Sequence, residues 1–189
     1  MIVGMTGMGP PFTRMVRGLA DYASSHPGEE IWVQHGKAEL PPLLSGAPFV
    51  ERDVMLERLR AADVVVTHAG CGSLFDAMSL GQTPVVVPRL ERFGEHVNDH
   101  QLELLDALSA EGRIVAVRDI ADLPRAIDEA RKRPSTHTDT TRRGALAAEI
   151  GRAVRSLSLA TPRQRASRER IFAVLRAATA WVPRREHRW

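Results

Sequence analysis

The sequence predicts an α/β fold: a parallel sheet with helices on both faces, followed by a basic helical extension. Three observations carry this. The runs Val64-Val65-Val66 and Val85-Val86-Val87 are β-branched and apolar throughout, as strands covered on both faces must be. Between such runs, apolar residues recur at helical spacing, so strands alternate with helices. Glycine-rich turns follow the strands, where a parallel sheet places its ligand-binding loops.

Taken in order, Ile2 to Met5 reads as a first strand and Thr6-Gly7-Met8-Gly9-Pro10-Pro11 as a turn. Phe12, Met15, Val16, Leu19 and Ala23 then repeat as one helix face. Ile31 to Gln34 is a second strand, Lys37 to Gly46 a loop, and Pro48 to Val50 a short third strand. Met55, Leu56 and Leu59 mark a helix ending near Ala62. Val64 to Thr67 is the fourth strand, Ser73 opens the next helix, and Val85 to Val87 is the fifth strand. A polar loop from Arg89 to Gln101 precedes a helix marked by Leu102, Leu105 and Leu108. Arg113 to Val117 is a sixth strand and Leu123 to Arg131 a further helix. The expected domain is residues 1–132, with a linker over 133–141 (RPSTHTDTT) and a helical extension over 142–189. Pro162 interrupts that extension. Its apolar stripe is Ile171, Phe172, Leu175, Ala178 and Trp181, among Arg163, Arg165, Arg168, Arg170 and Arg176.

At 189 residues and 43% hydrophobic the chain can bury a core, and with 5% aromatics aliphatic side chains must fill it. The single cysteine, Cys71, excludes an internal disulfide and points to a reducing compartment. No apolar run approaches the ~20 residues of a membrane span. The opening MIVGMTG is too short for a signal peptide, so the chain reads as cytoplasmic. Residues 1–141 carry 14 Lys+Arg against 20 Asp+Glu, whereas 142–189 carry 12 Arg against 3 Glu. A basic arm on an acidic body predicts an acidic partner or an anionic surface. Nucleic acid is not expected, because the arm lacks the interleaved aromatics that stack bases.

The chemistry concentrates in Val64 to Gln101. Gly70 and Gly72 allow a sharp turn, and the free N–H groups of a helix opening at Ser73 favour an anion such as phosphate. Asp76, one turn in, is placed to reach a sugar hydroxyl. Ser73 to Asp76 also fits a weakened capping box, and both readings are open on the residues alone. His68 directly follows the strand and is expected as a core histidine. Glu95 and His96, on the polar loop, are the better candidates for acid–base or phosphate contact. His96 and His100 stand four apart, but HVNDH lacks the glutamate of HExxH and has no evident third ligand, so zinc is not expected. A dinucleotide-dependent oxidoreductase would place its glycine fingerprint after the first strand, whereas the clear turn here follows the fourth.

The run HAGCGSLFDAMSLGQTPVVVPR with FGEHVNDHQLEL resembles the C-terminal, donor-binding half of family 28 glycosyltransferases. It is most similar to the stand-alone PssE-like subunits and the catalytic half of the two-part N-acetylglucosaminyltransferase acting on dolichol-linked sugars. MurG is a more distant, fused relative. The resemblance covers roughly residues 1 to 125. It implies a Rossmann-like half of a GT-B enzyme and an inverting, metal-independent transfer from a UDP-sugar to a lipid-linked acceptor. No cofactor is implied. By position it implies that Gly72 and Ser73 hold the diphosphate, Asp76 the ribose, and His100 and Gln101 the donor sugar, with Gly70 also donor-binding. The Gly7 and Gly9 turn would close over the phosphates, and Phe49 to Asp53 would lie by the uracil. It also implies a membrane-anchored, PssD-like partner subunit supplying the acceptor side, which would recruit the chain to the inner face of the membrane. The alternative is a nucleotide-sugar-binding module without transfer activity.

Overall fold

The computed structural model describes residues 1–133. The expected basic extension and, Arg133 apart, the expected linker lie outside the described residues. The elements are β1 (Ile2–Met5), α1 (Thr13–Ser25), β2 (Ile31–Gln34), β3 (Ser45–Ala47), α2 (Arg52–Ala61), β4 (Val64–His68), α3 (Cys71–Ser79), β5 (Val85–Val87), α4 (His100–Ala110), β6 (Val115–Ala116) and α5 (Leu123–Arg131). Single 3-10 turns stand at Glu91–Phe93 and Ile120–Asp122.

The strands form one parallel sheet in the order β3-β2-β1-β4-β5-β6. Alternation along each strand divides the core. Ile2, Val64, Val66, Val85 and Val87 face α1 and α5. Val3, Met5 and Val65 face α2, and Val86 faces α3 and α4. Both faces are therefore apolar, which is why the strands read as unbroken valine runs.

From β1 the chain winds outward to β2 and β3, and from β4 it winds the opposite way to β5 and β6. The reversal falls between β1 and β4, whose last paired residues are Met5 and Thr67. In a doubly wound sheet the crevice for a ligand opens at this switch point, beyond the carboxyl ends of the strands. The loops after β1, β4 and β5 all emerge there.

Two expected strands shift. The third lies at Ser45–Ala47, not at Pro48 to Val50. Pro48 lies just past its end, and the Pro48 carbonyl accepts from the Gly36 N–H and from Gln34 Nε2. The sixth shortens to Val115–Ala116, as befits an edge strand with one neighbour.

Candidate functional site

The glycine turns after β1 and β4 close on one side chain. A Cβ built on Gly70 would stand 2.1 Å from His68 Nε2, and one on Gly7, which has φ +76°, would stand 2.5 Å from His68 Cε1. Only glycine fits either place, because the imidazole fills the space between the two loops. His68 Nδ1 is buried without a hydrogen-bond partner. Burial, and secondarily the nearby Arg89 guanidinium, lower the His68 pKa to about 4, so the ring is neutral at physiological pH. The expectation of a core histidine thus sharpens: His68 is the wall shared by both glycine turns.

The helix after β4 begins at Cys71, two residues earlier than the sequence predicts, with Gly70 as its N-cap. Ser73 lies inside the first turn, and no side chain caps this end. The capping-box reading of Ser73 and Asp76 is therefore excluded. The first-turn N–H groups of Cys71, Gly72 and Ser73 have no intrahelical acceptor, and Gly72 is exposed. This is the geometry that receives an anion. Asp76 is partly exposed and pairs with Arg52 at the start of α2, at 2.5 Å. This places the carboxylate beside the segment expected at the uracil.

The first glycine loop is anchored from below. Gln34 Oε1 accepts from the Gly7 N–H at 3.0 Å, and the Thr6 hydroxyl donates to the Gln34 carbonyl at 3.0 Å. The Gly7 N–H therefore already has its acceptor.

The polar loop is organised by two arginines. Arg14 from α1 grips Glu95 with both arms of its fork, Nε to Oε1 at 3.0 Å and Nη2 to Oε2 at 2.9 Å. Glu95 Oε2 also accepts from the Leu90 N–H at 3.0 Å. With 3% exposure, this carboxylate is a fastening of the loop to α1, and its lone pairs are committed. Of the predicted site residues it is also the one that lines a groove of about 970 Å³ beside α1, with Arg14, Tyr22, Phe93 and Ile120. The structure places the acid–base candidate Glu95 in an ion pair with Arg14.

Arg89 is the second organiser, and the sequence marks it only as the start of a loop. Its Nη1 donates to the carbonyls of Pro10 (2.7 Å) and Glu95 (3.1 Å), and its Nη2 to that of Thr6 (2.6 Å). Its guanidinium lies 4.6 Å from the Phe12 ring centroid, and it passes beneath Gly9. Its own backbone N–H donates to Gln101 Oε1 at 2.9 Å. Gln101 is 3% exposed, so one side of its amide holds the polar loop to α4. His96 meets His100 edge-on, at 4.6 Å between centroids. Burial first, and then Arg89, lower the His96 pKa, and burial followed by His96 lowers that of His100. His96 Nδ1 is buried and has no partner. Asn98 Oδ1 bonds His100 Nδ1.

Gly7, Gly9, Gly70, Glu95, His96, His100 and Gln101 thus form one connected cluster through His68 and Arg89, with Gly72, Ser73 and Asp76 following on α3. Among the described residues no three of His, Cys, Asp and Glu are grouped as metal ligands. No helix among them is long and apolar enough to cross a membrane.

Comparison with known proteins gives this geometry a family. The human UDP-N-acetylglucosamine transferase subunit ALG13 is 38% identical over 63 residues, 33% of this chain and 5% of its own length. The mouse protein of the same name matches to the same extent. The chain thus spans one-twentieth of the length of these curated relatives. The solved glycotransferase of kitacinnamycin superposes with a TM-score of 0.53 at 21% identity, over 81% of this chain and 40% of that one. At that identity the likeness is one of fold, the Rossmann-like α/β half of a GT-B enzyme. Residues 28–152 match the glycosyltransferase family 28 C-terminal domain, and the chain belongs to that family.

Proposed function

We propose that this chain is the donor-binding, catalytic subunit of a two-component inverting glycosyltransferase. It would transfer a sugar from a UDP-sugar to a lipid-linked acceptor in polysaccharide or glycan synthesis. The observation that carries the reading is the uncapped first turn of α3 beside the Gly7 loop at the β1/β4 switch point. A diphosphate set there meets free N–H groups and the positive end of a helix, with Asp76 one turn further on for the ribose diol. His100 and Gln101, at the start of α4, would face the sugar. The donor and the subunit status are brought here from the printed name of the 38%-identical relatives.

In the reaction the acceptor hydroxyl oxygen attacks the anomeric carbon from the face opposite the diphosphate. The bond to the phosphate oxygen breaks, UDP departs with the electron pair, and the hydroxyl proton passes to a base. Glu95 and Asp76 are both ion-paired, and burial first, then Arg89, weakens His96 as a base. The reading therefore assigns the base to the acceptor side, supplied by a membrane-anchored, PssD-like subunit that holds this chain at the inner face of the membrane. The helix end would do the work often given to a metal, so no metal is required.

Calorimetric titration with UDP tests the reading. Asp76→Ala should weaken UDP binding about tenfold or more, the ~1.5–3 kcal/mol of a charge-assisted hydrogen bond. Arg52→Ala should leave binding equal or tighter, because an exposed pair of this kind is weak and Arg52 competes for the carboxylate. Unchanged affinity in a folded Asp76→Ala protein would remove Asp76 from the site. No UDP binding by the wild-type chain would refute the donor assignment.

A further inference from the structure

Arg89 is the most unusual charge in the described fold. It is 2% exposed, and among the described residues no carboxylate lies within ion-pair distance of it. Its donors go to three backbone carbonyls, Thr6, Pro10 and Glu95, and its face lies on Phe12. The nearest acid, Glu95, is claimed by both arms of Arg14. Two guanidinium charges therefore share one carboxylate, and the imbalance sits between the two glycine turns and the polar loop. Burying a charge without an opposite partner costs several kcal/mol, and carbonyl dipoles recover part of that. The fork supplies the three N–H donors that clasp the loops, and it brings to this place a positive charge with no carboxylate of its own.

We propose that Arg89 is the site's fixed counter-charge, a positioning residue that holds the glycine loops around the anion and supplies, from beneath them and without touching the substrate, positive potential for the diphosphate. The placement is consistent. The guanidinium is joined to the loop after β1 at both Thr6 and Pro10, lies under Gly9, and is close enough to His68 and His96 to disfavour a proton on either. Those two rings, Glu95 and Arg14 are the titratable groups around it. With a proton disfavoured on both imidazoles and Glu95 paired to Arg14, Arg89 is the charge there without a carboxylate of its own. The helix end at Cys71 adds positive potential of its own. A low-dielectric setting strengthens the interaction with an anion and screens it little from salt.

The inference rests on the UDP-sugar reading, and its test separates the two. UDP and uridine affinities are measured on the full chain for wild type, Arg89→Gln and Arg89→Lys. UDP binding by the wild-type protein is the condition set by the functional reading, and its absence sinks both ideas together. Given that binding, R89Q should raise the Kd for UDP roughly tenfold or more while moving that for uridine less than about twofold. R89K, which keeps the charge and loses the fork, should keep the UDP-to-uridine ratio within about twofold of wild type. Equal loss of both ligands in R89Q would make Arg89 a loop clasp only, and no loss would overturn the proposal outright. If R89Q does not fold, citrulline at position 89 carries the same comparison under the same criterion. It keeps the length and the planarity and is uncharged, and it keeps the terminal donors of one arm of the fork.

Discussion

A methyl group added at Gly70 is the sharpest probe of the site, because the three atoms nearest to it all belong to His68. The backbone there, at φ −91° and ψ 130°, suits alanine as well as glycine. Loss of unfolded-state entropy would by itself make Gly70→Ala stabilising by ~0.4–1 kcal/mol. Against this, the new Cβ would meet His68 Nε2 at 2.1 Å, Cδ2 at 2.8 Å and Cε1 at 2.9 Å. The ring cannot retreat toward Gly7, whose own missing Cβ it already fills. Overpacking of this kind costs ~1–3 kcal/mol, so the net change should be a loss of about 1–2 kcal/mol, or up to ~1 M in urea midpoint. Gly72→Ala, two residues on, is the control. Nothing lies within 4 Å of its Cβ, and alanine inside a helix should add ~0.5–1 kcal/mol. A double-mutant cycle with His68→Ala should recover most of the Gly70→Ala loss, since the two positions share the contact. Urea denaturation of the four proteins of that cycle, with Gly72→Ala alongside, decides it. If Gly70→Ala is as stable as wild type, or His68→Ala gives no recovery, the imidazole is not the wall described here.

Because the folded-state pKa of His68 is depressed to about 4 while the unfolded chain titrates near 6.5, the unfolded state binds more protons between those values. Stability should therefore fall as pH drops from 6.5 towards 4, by up to about 3 kcal/mol, and His68→Gln should flatten that slope in urea midpoints taken across the range. Activity of the reconstituted pair should survive EDTA, and its abolition with rescue by Mn²⁺ or Mg²⁺ would overturn the helix-end mechanism. Truncation after Thr161 should leave UDP binding intact and abolish co-purification with the acceptor-side subunit. Normal co-purification would dissociate the basic arm from docking.

The fold was legible because its signals are local. Valine runs covered on both faces and helices of ordinary period leave little choice, and loops that follow parallel strands must share one edge. The site was legible in outline for the same reason: Gly70 to Asp76 is a single turn-and-helix unit. What the residues hid depends on partners distant in the chain. Glu95 reads as a free acid until Arg14 is seen to hold it, and Arg89 reads as a solvated loop residue until three carbonyls surround it. Ser73 resembled a cap because Ser with an acid three residues on is a common helix opening, whereas the turn actually closes on Gly70. The third strand was displaced because Pro48 and Phe49 carry the apolar signal, while Ser45–Ala47 carry the pairing.

The bonds that close the site join positions far apart in sequence: Arg89 reaches back 83 residues to Thr6, and Arg14 reaches forward 81 to Glu95. During synthesis the first glycine turn emerges early and meets Gln34 and then His68, yet its tie to the polar loop waits until Arg89 and Glu95 have been made. A ribosome-bound or truncated product ending at β5 would have five of the six strands and the imidazole, and still lack the residue that ties the loops together. Contacts of such span are slow to form and are made after the local ones. Ligand competence should therefore arrive as the last event of folding, and it is the first property a shortened chain would lose.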